Sequence, residues 1–315
     1  MAYLLTLLGF IVLLAGGEAI VRGSVALANR LQVAPFLIGL TIVGFGTSLP
    51  ELFVSVNAAL VGAPGLAVGN VIGSNIANVL LILGVAALIT PILIKPAEVK
   101  NDTITMLVAT ALYACFGLTT RIITWHGVIL LGLLTTYLYI AILRHRSNSA
   151  LETTKSKETV NNSSLLNNLY GISFITLLGL VLIIIGAELL VTGATAVAFS
   201  FGVSEEVIGL TILAIGTSVP ELATAIVAAY RKQAEICIGN VLGSNIFNIL
   251  SITGITALFA PLPFSSEILS FDLWLLLGCT LIFAWFLLTG HKVTRIAGTL
   301  FISIYAIFIF AQFLG

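Results

Sequence analysis

Apolar residues come in long blocks along this chain, separated by short polar joints. About 20 apolar residues carry a helix across the hydrocarbon of a bilayer. Blocks near 3–28, 36–60, 67–90, 103–119, 124–143, 169–200, 206–229, 236–260, 270–289 and 293–314 meet or approach that length. They lack the alternation a barrel strand requires, so they predict helices, which satisfy their own backbone hydrogen bonds in lipid. The one long polar stretch, 144–168, is rich in Ser, Asn and Thr and reads as a flexible linker with five spans on either side. The pattern predicts an all-α integral membrane protein of ten transmembrane helices. Its units are a five-helix repeat over 1–146, a cytoplasmic linker over 147–168 and a second five-helix repeat over 169–315.

Composition sharpens this picture by exclusion. The chain is 59% hydrophobic and 8% charged, against about 25% charged in soluble domains. Too few charges remain to cover a water-facing surface, which excludes a soluble enzyme, a nucleic-acid binder and a disordered protein. Thirteen basic residues balance thirteen acidic ones, so net charge names no polyanionic partner. Their placement is informative. The loops after odd-numbered spans hold Arg30, Lys95, Lys100, Arg144, Arg146, Lys155, Lys157, Arg231, Lys232, Lys292 and Arg295, and the other loops hold only Arg121. By the positive-inside rule both termini are expected outside and the linker in the cytoplasm of a cell (inner) membrane. No basic residue precedes the first apolar run, so that run is expected to be a retained span. Cys115, Cys237 and Cys279 lie singly, without metal or disulfide spacing, and are expected to be small buried hydrophobes.

The two halves repeat at an offset of 170 residues. Gly39–Glu51 (GLTIVGFGTSLPE) matches Gly209–Glu221 (GLTILAIGTSVPE), and Gly69–Asn78 (GNVIGSNIAN) matches Gly239–Asn248 (GNVLGSNIFN). Between 39–84 and 209–254, 23 of 46 positions are identical. Each unit holds an odd number of spans, so the second enters the membrane from the opposite side. That is an inverted repeat, a common construction among secondary transporters.

Away from the span ends, the charged residues in the predicted spans are Glu18, Arg22, Glu51, Glu188 and Glu221. A charge at mid-bilayer costs about 2.5–3.5 kcal/mol on insertion scales, so each needs a partner, water or an ion. Glu51 and Glu221 follow Pro50 and Pro220, which lack an N–H and clash with the preceding turn. Those helices should break and free carbonyls near 44–47 and 214–217 as potential ligands. Gly44, Thr47, Ser48 and Glu51 share one helical face, as do Ala214, Thr217, Ser218 and Glu221. Asn70, Ser74 and Asn78 form a polar stripe on the third span, mirrored by Asn240, Ser244 and Asn248 on the eighth. Asn75 and Asn245 are expected to point elsewhere, toward backbone. Glu18 and Arg22 can pair within the first helix; Glu188 lacks that partner because Thr192 takes the arginine's place. Every ligand at the centre is oxygen, which suits hard cations such as Ca2+, Na+ or Mn2+ and not zinc or copper. Two carboxylates about 6 Å apart repel by roughly 3 kcal/mol at an effective dielectric near 20. One divalent ion, two or three sodium ions, or a proton could each relieve that repulsion.

The paired motifs GTSLPE with GNVIGSNIAN, and GTSVPE with GNVLGSNIFN, resemble the two alpha-repeats of the sodium/calcium exchanger family of cation/Ca2+ antiporters. The resemblance spans essentially the whole chain, and the short linker resembles prokaryotic members. It implies that Glu51 and Glu221 bind Ca2+ directly with backbone oxygens of Thr47 and Thr217. It implies Na+ sites built from Thr47, Ser48, Ser74, Thr217, Ser218, Ser244 and the carbonyls of Gly44 and Ala214, with Asn78 at the centre. Some members carry Asp where this chain has Asn248, so the implied site has a formal charge of −2. The implied activity is exchange of several Na+ for each Ca2+ by alternating access, with the first and sixth helices moving against the second, third, seventh and eighth. Ca2+ and Na+ would be substrates; no covalent catalysis, cofactor, nucleic acid or obligatory protein partner is expected. The rival readings are an H+-coupled or other divalent-cation antiporter, a passive cation channel and an intramembrane hydrolase. The spans offer no Ser/His pair for the last.

Overall fold

The computed structural model describes residues 1–149, 168–201 and 216–312. Most of the expected linker, the first half of the seventh span and Ala214 lie outside these residues. Ten helices are described: α1 (Ala2–Leu31), α2 (Pro35–Leu60), α3 (Pro64–Ile89), α4 (Pro96–Gly117), α5 (Thr124–Ser149), α6 (Leu169–Ser200), α7 (Val219–Tyr230), α8 (Ala234–Phe259), α9 (Ile268–Thr289) and α10 (Arg295–Gln312). The protein is a membrane protein of two inverted five-helix repeats. Pro35, Pro64 and Pro96 each sit in a first turn, where the missing N–H costs nothing. The helices α1, α5, α6 and α10 carry exposed Leu, Ile and Phe such as Phe10, Phe174 and Ile307. In a span those faces meet lipid rather than water.

Inversion is visible in the packing of α1 on α6. Gly9, Gly16 and Gly23 of α1 meet the backbones of Leu190, Ile183 and Thr176, while Gly179, Gly186 and Gly193 of α6 meet Ile20, Leu13 and Thr6. In every pair the two residue numbers add to 199, so the helices run antiparallel in one register. A Cβ on Gly16 would lie 2.7 Å from the Ile183 nitrogen, and one on Gly179 2.6 Å from the Ile20 nitrogen. Only glycine permits backbones this close.

Inside lie α2, α3, α7 and α8, of which α8 is almost wholly buried. Gly39 meets Ile236, Gly239 meets Phe36, and Gly243 meets Leu40, which seals the start of α2 against the start of α8. Short ladders close both faces. Strand β1 (Arg121–Ile122) pairs antiparallel with β2 (Leu262–Pro263), and Ile92 bridges Val293 on the opposite face. These are departures from a purely helical chain, and Leu262 stands 170 residues after Ile92. The turns after α2 and α7 are equivalent too, with left-handed backbone at Gly62 (φ 85°) and Lys232 (φ 57°).

Two expectations are corrected. Helix α4 begins at Pro96, seven residues before the predicted 103, because its charged first turns extend beyond the apolar block. Asp102 therefore lies in a helix, buried, and accepts a 2.9 Å hydrogen bond from the Tyr137 hydroxyl of α5. Its repeat equivalent, Asp272, is bound by Gln312 of α10 at 2.7 Å. Cys237 and Cys279 are buried as expected, but Cys115 is exposed on an apolar helix face. On the surface, Lys95 reaches Glu235 at 2.6 Å and Glu98 at 3.2 Å; the Glu235 bond holds its ammonium above the usual lysine range.

Candidate ion-binding site

The prolines act where expected, and the local distortion is larger than one broken turn. In α2, Gly39–Val43 forms a π turn, Gly44–Thr47 one α turn, and the helix breaks at Ser48 (φ −84°, ψ 5°). Ser218 has nearly the same backbone (φ −90°, ψ 3°) at the start of α7. Pro50 and Pro220 then sit in the first turn of the following half-helix, and Glu51 and Glu221 one residue on. Both carboxylates are thus delivered at half-helix N-termini, where the helix dipole favours negative charge. Helices α3 and α8 carry matching π turns, Asn78–Ile82 and Asn248–Ile252, which re-aim the asparagines that begin them.

Side chains from the two repeats interlock across the two-fold. The Ser48 hydroxyl donates to Glu221 Oε1 at 3.0 Å, and the Ser218 hydroxyl to Glu51 Oε1 at 3.4 Å. The Thr47 hydroxyl reaches Asn240 Oδ1 at 3.2 Å, and the Thr217 hydroxyl reaches Asn70 Oδ1 at 3.4 Å. Closer to the axis the symmetry breaks: Asn78 Nδ2 donates to Asn245 Oδ1 at 3.0 Å, whereas Asn248 Nδ2 donates to Ser74 Oγ at 2.9 Å. Asn75 does bond backbone, at the Val71 carbonyl, but Asn245 joins the centre, contrary to expectation. Ser244 donates to the Gly44 carbonyl at 3.3 Å, an oxygen that also receives the Ser48 N–H. Of the twelve expected site residues, Glu51, Glu221, Thr47, Thr217, Ser48, Ser218, Ser74, Ser244, Asn78, Asn248 and Gly44 are brought into this network.

Glu51 and Glu221 are each 1% exposed. Glu51 Oε2, Glu221 Oε2, Asn78 Oδ1 and Asn248 Oδ1 are buried and accept no hydrogen bond among the described residues. Burying an acceptor unpaired costs about 1–3 kcal/mol, and more when it is charged. These four oxygens stand on α2, α7, α3 and α8, and oxygen is the ligand a hard cation takes; Asn75 Oδ1 on α3 is likewise buried without a donor among the described residues. Among the described residues no cluster of three His, Cys, Asp or Glu side chains exists.

Glu18 lies outside this network. It pairs with Arg22 on its own helix, as its spacing predicts, and also with Arg231 in the turn after α7. Glu188 is exposed.

Inverted five-helix repeats around a buried cage of oxygens define a cation transporter of the secondary type. A family model described as sodium/calcium exchanger protein matches residues 1–143 and 172–314. The chain is 33% identical to the putative antiporter CaxA of Alkalimonas amylolytica over 94% of this chain and 92% of that one. It is 32% identical to the sodium/calcium exchanger MaX1 of Methanosarcina acetivorans over 99% and 98% of the two chains. The solved structure of the sodium-calcium exchanger NCX_Mj, soaked with zero Na+ and Ca2+, superposes with a TM-score of 0.85 at 32% identity, covering 99% of this chain and 98% of that one. The chain belongs to the sodium/calcium exchanger family, whose members exchange cations across membranes.

Proposed function

We propose that the protein is a Na+-coupled Ca2+ antiporter of a prokaryotic cell membrane, with both termini outside, that extrudes Ca2+ by alternating access. The observation that carries this reading is the set of four unpartnered oxygens on Glu51, Glu221, Asn78 and Asn248. Two carboxylates match the charge of one Ca2+, or of two Na+. The hydroxyls of Thr47, Ser48, Ser74, Thr217, Ser218 and Ser244 are neutral oxygens that complete coordination, as would the carbonyl of Ala214; the Gly44 carbonyl is not freed by the break, since it accepts the Ser48 N–H and the Ser244 hydroxyl, and joins only by giving one up. Neutral ligands let the same cage take monovalent ions without excess negative charge. An empty cage that stays ionised keeps two negative charges in a low dielectric, which opposes its passage between the two faces; a loaded one is neutral and passes. That difference makes exchange obligatory rather than leak.

Reconstituted into Na+-loaded liposomes, the protein is expected to take up radioactive Ca2+ only while an outward Na+ gradient exists. Uptake driven instead by a pH gradient without Na+ would replace Na+ with H+ as the driver, and conductance without a counter-ion would make it a channel. Ca2+ binding to the folded state also stabilises it, by about 2.7 kcal/mol when Ca2+ is one hundred times its dissociation constant. Thermal unfolding in detergent should therefore shift upward with Ca2+ and, at higher concentration, with Na+.

The glycine seam makes α1 and α6 the pair best able to move against the interlocked α2, α3, α7 and α8. Spin labels on α1 and α7 should report two distance populations whose ratio changes between Na+ and Ca2+. A single unchanged distance in both ions would count against this moving part.

A further inference from the structure

We infer that Asn70 and Asn240 are positioning residues for this site, holding the kink threonine of one repeat to the acid-bearing half-helix of the other. The inference rests on the ion-exchange reading above and concerns residues to which that reading gives no role. The two asparagines are repeat equivalents on α3 and α8, and each makes the same two kinds of bond. Asn70 Nδ2 donates to the Glu51 carbonyl at 3.2 Å and to Ser55 Oγ at 2.9 Å; Asn240 Nδ2 donates to the Glu221 carbonyl at 3.4 Å. Each Oδ1 then faces the opposite repeat and accepts from Thr217 or Thr47. An amide has donors at one end and an acceptor at the other, so it fits between these groups in one orientation only.

The consequence concerns the threonine hydroxyls. A hydroxyl that ligates a cation turns its lone pairs to the ion and its single proton away, and so needs an acceptor behind it. Beside the Glu221 carboxylate, Thr47 has three within reach: Asn240 Oδ1 at 3.2 Å, the Val43 carbonyl at 3.0 Å and the Gly44 carbonyl at 3.4 Å. Gly44 already receives Ser48 N–H and Ser244 Oγ. The Val43 carbonyl is the nearest of the three and lies on Thr47's own helix; Asn240 Oδ1 is the one that ties the hydroxyl to the far half of the cage. Asn240 is fully buried, so water cannot substitute for its amide. The same amide anchors the first turn of the half-helix that carries Glu221. Loss of Asn240 therefore leaves the Thr47 hydroxyl to its own helix alone, at the Val43 carbonyl, and the neutral-oxygen part of the cage loosens while both carboxylates stay.

The test is a double-mutant cycle on the purified full-length protein, with Na+ and Ca2+ themselves as probes. Calcium affinity is measured by titration calorimetry, and Na+ affinity by its competition with Ca2+. Asn240→Ala is expected to weaken Na+ competition by about 10-fold, the worth of one buried hydrogen bond at a charged site, and Ca2+ binding by less. In a Thr47→Val background, Asn240→Ala should add no more than about 2-fold. An equal loss in both backgrounds, or unchanged Na+ competition in a folded variant, overturns the assignment. Should Asn240→Ala fail to fold, Asn240→Asp keeps the acceptor for Thr47, removes the donor to Glu221 and preserves shape. Its folded form should still show coupling to Thr47, and absence of that coupling overturns the assignment. A wild-type protein that binds neither ion defeats the ion-exchange reading itself; a wild type that binds both while Asn240→Ala matches it defeats only this inference.

Discussion

Glu51→Gln and Glu221→Gln are each expected to abolish Na+-driven Ca2+ uptake, by more than 100-fold, in protein that folds and purifies normally. Each carboxylate receives one serine hydroxyl and keeps one buried oxygen without a donor. Glutamine preserves the shape and the serine bond but removes a full charge from the cage. At about 4 Å and an effective dielectric near 20, each unit of charge on an ion interacts with a carboxylate by roughly 4 kcal/mol before desolvation is counted. For the two charges of Ca2+ that is roughly 8 kcal/mol, and retaining half of it, about 4 kcal/mol, exceeds the factor stated. The fold should not suffer, because two like charges in a low-dielectric interior repel. Without ions, thermal unfolding of either variant should occur at or above the wild-type temperature, while the Ca2+-induced shift disappears. Ca2+ flux retained in either variant would remove the acids from the site.

Gly243→Ala is expected to act oppositely, lowering stability while both acids stay in place. The Cα of Gly243 faces the backbone of Leu40, and an added Cβ would lie 2.9 Å from the Leu40 carbonyl carbon and closer still to its oxygen. Backbone cannot swing aside as a side-chain tip can, so the start of α2 must part from α8. Overpacking of this kind costs about 1–3 kcal/mol, and more where backbone must move. The midpoint of thermal unfolding, followed by size-exclusion chromatography of heated samples, should fall by about 5–10 °C. Gly132→Ala is the matched control, since nothing described lies within 4 Å of a Cβ there. An unchanged midpoint for Gly243→Ala would mean that the inner helices are packed more loosely than this seal implies.

Much of this architecture was legible in the sequence because lipid imposes simple rules. Apolar blocks of span length mark helices, proline before a mid-membrane glutamate marks a broken one, and an odd number of spans per repeat forces inversion. The chemistry of the cage followed from oxygen-bearing side chains repeated at a fixed offset. What escaped were features set by pairing between distant elements. Asp102 fell outside the predicted span because its neighbours Glu98 and Lys100 are charged, yet Tyr137 satisfies it inside helix α4. The offset to Asp272 was a usable signal. The π turns at Asn78 and Asn248 have no periodicity signature in so few residues, and without them Asn245 looks turned away from the centre. Arg231 could not be matched to Glu18 by spacing, since 213 residues separate them. The seven-residue rhythm of Gly9, Gly16 and Gly23, repeated in Gly179, Gly186 and Gly193, was present and marks the seam between α1 and α6.

That seam has one more property. Subtracting the repeat offset of 170 from the register of 199 gives 29, so glycine 9 of one half faces position 20 of the other, 16 faces 13, and 23 faces 6. The contact is isologous: each half offers the same patch and receives the same patch in return. Each half therefore carries on its first helix a surface that fits its own counterpart when that counterpart is turned over in the membrane.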